Sequence, residues 1–294
     1  MKYNILHETV YGYESPVVLS QQLLHLTPRA VDFQKLAQHR IAIEPTPAET
    51  SAREDAFGNP VTRILLAAPH SRLSVSAESQ LEVTPRTAPE GGDAWEEVRD
   101  RLRRGGGALL EPIQFVFESP HVELLRDLAA YAEPSFAPGR GLLAAVLDLT
   151  RRIHADFAFD PKATSVSTPL REVLARRRGV CQDFAHFMIG CLRTLGIPAR
   201  YISGYILTSP PPGKPRLVGA DASHAWVSVY CGGAAGKAGP WIDLDPTNDM
   251  IVGDGHVTLA WGRDFSDVTP MRGVILGGGE QELEVRVTVT PLAG

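Results

Sequence analysis

Between residues 73 and 83 the chain alternates. Val75, Ala77, Ser79, Leu81 and Val83 share one side, and polar residues take most of the other. That is the period of a half-buried strand. Shorter runs at 3–11, 17–26, 39–44 and 61–67 are punctuated by Pro, Gly and Asn, as in DAFGNP at 55–60. Together they predict a small antiparallel sheet or sandwich over residues 1–85. The period then changes. Leu142, Leu143, Val146, Leu149 and Ile153 lie on one stripe of a helix spanning 142–156. Further helices are predicted at 94–104, with Asp93 as its cap and Gly105–Gly107 as its stop, and at 122–131, 170–177 and 181–195. Strands follow at 197–207, 222–230, 241–244 and 282–290. Helices first and hairpin-like strands later point to an α+β fold, with helices packed on an antiparallel sheet, rather than a doubly wound one. The expected organisation is a β-rich domain at 1–85, a helical linker at 86–140, a core at 141–250, and a C-terminal extension at 251–294 whose final strand completes the fold. TPRTAPEGGD at 84–93 reads as the connection between the first two.

Composition narrows the partners. The 294 residues are 44% hydrophobic and 21% charged, with a net charge of −5. The basic runs at 99–104 and 176–178 fit solvated surfaces, so neither nucleic acid nor an anionic membrane is an expected partner. The first residues lack the apolar core of a secretory signal. The best apolar stretch, GLLAAVLDLT, is interrupted by Asp148 and is too short to span a bilayer. The three cysteines, 181, 191 and 231, fit neither a disulfide framework nor a metal knuckle. A reducing cytoplasm is the expected setting.

In RRRGVCQDFAHFMIG, residues 176–190, Cys181 opens a helix whose Phe184, Ala185, Met188 and Leu192 form an apolar row. The first turn offers unpaired N–H groups and the positive end of the helix dipole, both of which favour a thiolate. Cys191, mid-helix, reads as a core thiol, and Cys231 as structural. A thiolate needs an imidazole partner, and the imidazole an acceptor. DASHAWVSVY places His224 near the start of an alternating strand with Trp226 on the same face, and GPWIDLDPTND supplies Asp243 and Asp245 on one face of a second strand. Adjacent antiparallel strands would bring a carboxylate across from His224. Strand geometry does not choose between the two aspartates. Cys181 and His186, five apart, do not converge on one metal, and His154, His224 and His256 show no ligand spacing. Neither a metal nor a cofactor is expected.

Gly179-Val180-Cys181, His224-Ala225-Trp226 and Trp241-Ile242-Asp243-Leu244-Asp245-Pro246-Thr247 resemble the core of the transglutaminase-like superfamily of papain-related thiol enzymes. LRTLGIPARYISGY at 192–205 resembles the connection from the cysteine helix into the sheet. Residues 1–85 and 262–289 resemble the flanking regions of bacterial members. The resemblance implies Cys181 as nucleophile, His224 as general base and acid, and Asp245, chosen by the family's Asp-x-Thr placement, as orienting acceptor. It implies acyl transfer on amide or peptide bonds of a protein or peptide substrate through a thioester, by a protease or amidase-type hydrolase or a transglutaminase. The alternative is an inactive binding or scaffolding module. One departure stands out: no Trp or Tyr lies between Tyr131 and Cys181 to serve as the oxyanion donor that animal transglutaminases supply from upstream. Gln182 and Trp226 are the candidates for oxyanion or substrate contact. Oligomeric state is not readable.

Overall fold

A computed structural model describes residues 1–86, 91–106, 109–208, 223–232 and 239–292. The N-terminal region is built from β1 (Lys2–Leu24), β2 (Gln34–Glu44), β3 (Glu49–Glu54), β4 (Pro60–Leu66) and β5 (His70–Val83). The two segments predicted at 3–11 and 17–26 are one long strand, β1, with register irregularities between Gly12 and Val17 and between Val17 and Leu19. On either side of this break β1 takes different partners. Residues 2–12 pair with β5, and residues 20–24 with β4. β3 was not predicted, because all six of its residues are exposed and no apolar alternation marks it.

The helical segment contains α1 (Trp95–Arg104), α2 (Leu110–Ile113), α3 (Arg126–Ala132) and α4 (Leu142–Asp156). Asp93 does not cap α1. Ala94 occupies that position without a side-chain bond, and Asp93 pairs with Arg101 instead. The start of α1 is held by backbone: Trp95 N donates to Arg140 O, and Leu142 N to Asp93 O. α3 begins four residues later than predicted, because Ser119 and Val122 close a backbone bridge of their own.

Then follow β6 (Ala158–Phe159), α5 (Leu170–Arg176), β7 (Arg178–Gly179) and α6 (Cys181–Thr194). The five-stranded core sheet comprises β8 (Ala199–Ile206), β9 (Ser223–Tyr230), β10 (Trp241–Asp245), β11 (Met250–Ile251) and β12 (His256–Gly262). It is antiparallel, in the order β11-β10-β9-β8-β12, and so extends past residue 250. α6 is buried along every residue from Asp183 to Arg193. It is a central helix rather than one with a single apolar face. Phe187, Met188 and Ile189 share a cluster with Val146, Leu149 and Ile153 of α4 and with Ala199, Val227 and Val229 of the sheet. Arg193 ties the far end of α6 down. Its buried guanidinium donates to the carbonyls of Phe117, Ala199 and Arg263.

After α7 (Phe265–Val268), β13 (Met271–Gly277) and β14 (Gln281–Leu292) return to the N-terminal sheet. β14 pairs with β1 from Lys2↔Leu292 to Tyr13↔Gln281, so both ends of the described chain lie in one seven-stranded sheet. Tyr3, Ile5, Leu81 and Val83 of this sheet join the core's apolar cluster, and two side-chain amides bridge to the edge of the core sheet. Gln34 donates to Thr258 O (2.8 Å) and accepts from Thr258 N (2.9 Å); Asn59 does the same at Trp261 (2.8 and 2.9 Å). Among the described residues no helix is long and apolar enough to cross a membrane.

Candidate active site around Cys181

α5 ends on Arg177 in the left-handed conformation (φ 53°), and two residues pair with β6 before Val180 turns the chain into α6. Gly179 is required by a close approach: a Cβ there would stand 2.5 Å from Asp183 Oδ2 and 2.8 Å from its Cβ. Asp183 Oδ2 accepts from Val180 N (2.8 Å) and from the Thr164 hydroxyl (2.6 Å), closing the start of the helix. Burial raises the Asp183 carboxyl against both bonds. Cys181 is the first residue of α6 and is partly exposed. The N–H groups of Cys181 and Gln182 belong to the first turn, which has no carbonyl one turn back to receive them. Cys191 is fully buried and its thiol is raised by desolvation; burial pushes Cys231 up to about 12.

The register of β8 and β9 sets Gly204 opposite His224. Gly204 is the second obligatory glycine, since a Cβ would meet Val257 O at 2.1 Å and the Trp226 ring at 2.4 Å. His224 Nε2 lies 2.7 Å from Asp245 Oδ2, and Cys181 is close enough to the same imidazole to act on its charge. With Nε2 turned to Asp245, Nδ1 is the nitrogen left for the sulfur. Burial would lower the His224 pKa; the Asp245 and Cys181 contacts outweigh it and raise it to about 10. A protonated His224 is thus the favoured form near neutral pH.

Asp245 is wholly buried yet held well below the usual carboxylate range. Burial raises it, but bonds from His224, His256 and Asn248 and the His224 charge overcome that. His256 Nε2 (3.1 Å) and Asn248 Nδ2 (2.7 Å) meet Oδ2, while the backbone N–H groups of Thr247 (2.9 Å) and Asn248 (3.2 Å) meet Oδ1. Asp243 stands elsewhere: its Oδ2 accepts from Trp226 Nε1 (3.3 Å) and Arg86 Nη1 (2.6 Å). The two aspartates that the sequence left equivalent therefore have different partners.

Cys181, His224 and Asp245 are brought together; the two accessory candidates are not placed as expected. Trp226 is fully buried with its indole N–H committed to Asp243, so it is no oxyanion donor. Gln182 Nε2 donates to Val166 O at 3.2 Å, which turns its amide toward the 160–168 segment. His256 and Asn248 were not anticipated, and no spacing in the sequence announces them. The ligand atoms of His224, Asp245 and His256 lie within 4.8 Å of one another. Both Nε2 atoms point at one carboxylate oxygen, the geometry of two N–H donors on a shared acceptor. A metal would have to displace both protons.

The fold and this cysteine–histidine–aspartate grouping fit the transglutaminase-like class, and the family models match it. Residues 3–82 match the bacterial transglutaminase-like N-terminal region and residues 129–246 the transglutaminase-like superfamily. An uncharacterized protein of Mycobacterium tuberculosis is 38% identical over 299 residues, covering 100% of this chain and 94% of that protein. The chain belongs to the transglutaminase-like superfamily. A protein-glutamine gamma-glutamyltransferase of Pseudomonas aeruginosa is 34% identical over 125 residues, 42% of this chain and 18% of that protein. Among solved structures, a protein from Cytophaga hutchinsonii named "Putative Cysteine Protease" superposes with a TM-score of 0.75 at 21% identity, covering 100% of this chain and 92% of that one. At that identity the likeness establishes the shared fold.

Proposed function

We propose that this protein is an acyl-transfer enzyme acting on amides, with Cys181 as nucleophile, His224 as acid and base, and Asp245 as the group that orients His224. The observation that carries the reading is the His224 imidazole bonded to Asp245 at 2.7 Å, with Cys181 near enough to help push its pKa up to about 10. In the first half-reaction, with the pair's proton on His224 Nδ1, the Cys181 thiolate attacks the amide carbonyl carbon. The C–N bond breaks, and the Nδ1 proton of His224 passes to the leaving ammonia or amine. In the second, water or an amine attacks the thioester, its proton returns to His224, and the thiolate is released. The N–H groups of the first turn of α6 face the thiol's surroundings and serve the developing oxyanion.

The substrate favoured is a glutamine carboxamide within a protein or peptide, in keeping with the name of the Pseudomonas aeruginosa relative. The test is ammonia release from glutamine-containing peptides, with and without a primary amine acceptor. The wild-type chain releases ammonia and Cys181→Ala does not. Amine incorporation into the product identifies transamidation; a new carboxylate identifies hydrolysis. Equal release by wild type and Cys181→Ala would overturn the proposal.

A further inference from the structure

A second constellation lies where the N-terminal sheet meets the core. A cavity of about 420 Å³ is lined by Arg29 and Phe33 from the N-terminal region, by Arg86, and by Arg200, Trp241 and Trp261 of the core sheet. Each guanidinium lies over an aromatic ring. Arg29 is 3.5 Å from the Trp261 centroid, Arg86 is 4.0 Å from that of Phe33, and Arg200 is 4.1 Å from Trp241 and 3.9 Å from Trp261. Stacking fixes the planes of the three groups and keeps water from their faces.

The protein's own acceptors satisfy only part of this cluster. Arg86 Nη1 bonds Asp243 (2.6 Å), Arg200 Nη1 bonds Glu111 (3.3 Å), and Arg29 Nη1 bonds Phe57 O and Asn59 Oδ1. The Nε atoms of Arg29 and Arg200, and both Nε and Nη2 of Arg86, are buried with no acceptor. Arg200 is 8% exposed. Asp32 and Asp243 are the acids on the lining, against three arginines. Guanidinium groups stay charged at neutral pH even though burial pushes Arg29 and Arg200 down to about 10. Buried donors of this kind are ordinarily paired, so a small turn of these side chains toward an incoming acceptor relieves a standing cost.

We propose that this cavity binds a small organic carboxylate. A carboxylate matches the planar fork of a guanidinium, and Asp243 already meets Arg86 Nη1 as a carboxylate built into the wall. The volume falls near the lower end of the ~300–1,000 Å³ typical of small-molecule sites. That is roomier than a bare inorganic oxyanion needs, and Ala30 and Val31 line it beside the aromatic rings, giving a carbon chain somewhere to rest.

Calorimetric titration of the full-length chain with glutarate, at fixed ionic strength, tests this. Saturable binding with a Kd of about 1 mM or tighter is expected. The neutral diamide, glutaramide, gives none, and inorganic phosphate binds at least about tenfold more weakly. Arg86→Gln weakens glutarate binding by about tenfold or more. Asp243→Asn, which weakens the hold on Arg86 Nη1 and removes a negative charge from the wall, strengthens it, a sign that general destabilisation would not produce. Cys181→Ala leaves it unchanged, so failure here and failure of the amide chemistry are separate results. No saturable heat from the wild-type chain up to about 10 mM glutarate would overturn the proposal even if a variant did not fold. Phosphate binding as tight as glutarate overturns it too, as does equal affinity in a folded Arg86→Gln.

Discussion

Replacing Asp245 by asparagine changes one atom and reverses the direction of one hydrogen bond. The carboxylate accepts five bonds: three at Oδ2 from His224, His256 and Asn248, and two at Oδ1 from backbone N–H groups. An asparagine can keep its oxygen at the Oδ1 position, where the backbone donors are fixed. Its NH₂ then faces His224 and His256, and each imidazole can answer only by becoming an acceptor at Nε2. For His224 this moves the proton to Nδ1, the nitrogen that must receive the thiol proton. The raised value of about 10 against an ordinary 6.5 amounts to roughly 5 kcal/mol of preference for the imidazolium. That preference is maintained against burial by Asp245 and Cys181. With the thiol capped as a neutral methyl disulfide, Asp245 is the main support left. Nitrogen NMR on capped protein should then find the His224 midpoint above 6.5 in the wild type and below 6.5 in Asp245→Asn. The uncapped variant should lose about 10³- to 10⁴-fold in amide turnover, the scale on which a wrong histidine tautomer acts, while remaining folded. Equal His224 midpoints in the two capped proteins would refute the reasoning, because Asp245 would then not be the group that sets the proton on His224.

Gly179→Ala should push Asp183 off its bond to Val180 N, costing about 1–3 kcal/mol of stability and slowing alkylation of Cys181 by iodoacetamide; a thermal melt and labelling kinetics check both. Arg193→Met should destabilise by about 3–5 kcal/mol in urea titration, because it strands the buried carbonyl of Ala199 and the partly buried ones of Phe117 and Arg263. Asp245 has a folded pKa below its ordinary 3.8, so the unfolded chain binds its proton first as pH falls. The stability it contributes is complete above 3.8 and drains away below it. Asp245→Asn should flatten the wild-type loss in that range by up to about 1.4 kcal/mol per pH unit, read from urea midpoints between pH 4 and the acid limit.

Local pattern was enough for much of the fold. α4 covers the 142–156 span predicted from its apolar stripe, and α6 starts at Cys181 as its Gly-x-Cys opening implies. What could not be read depends on partners distant in sequence. β3 has no buried face to leave a signature. The pairing of β13 and β14 with β1 joins residues at the two ends of the described chain, such as Lys2 and Leu292. Asp243 and Asp245 alternate identically along β10, so only the three-dimensional surroundings, Arg86 on one and His256 on the other, tell them apart. Trp226 misled for the same reason. It shares a face with His224, but its indole finds a carboxylate within the sheet before it could reach a substrate.

The position of His256 gives the N-terminal region a role in the site. β12 is the edge strand of the core sheet, and an open edge is free to slide or to recruit another strand. Here two amides from the N-terminal region finish that edge. Gln34 and Asn59, both fully buried, each donate and accept at one backbone position, Thr258 and Trp261, on either side of the irregularity between Thr258 and Ala260. A side-chain amide used in this way reproduces the pairing of a peptide group, so β12 is held at these two positions without another strand beside it. Two residues before Thr258 stands His256, whose Nε2 meets the same oxygen of Asp245 as His224. The line from Gln34 to Thr258, His256, Asp245 and His224 is short and passes only through buried groups. The N-terminal sheet, itself closed by β13 and β14 from the other end of the chain, is therefore part of the frame that aims the imidazole, and removing it would open the β12 edge and release His256 together.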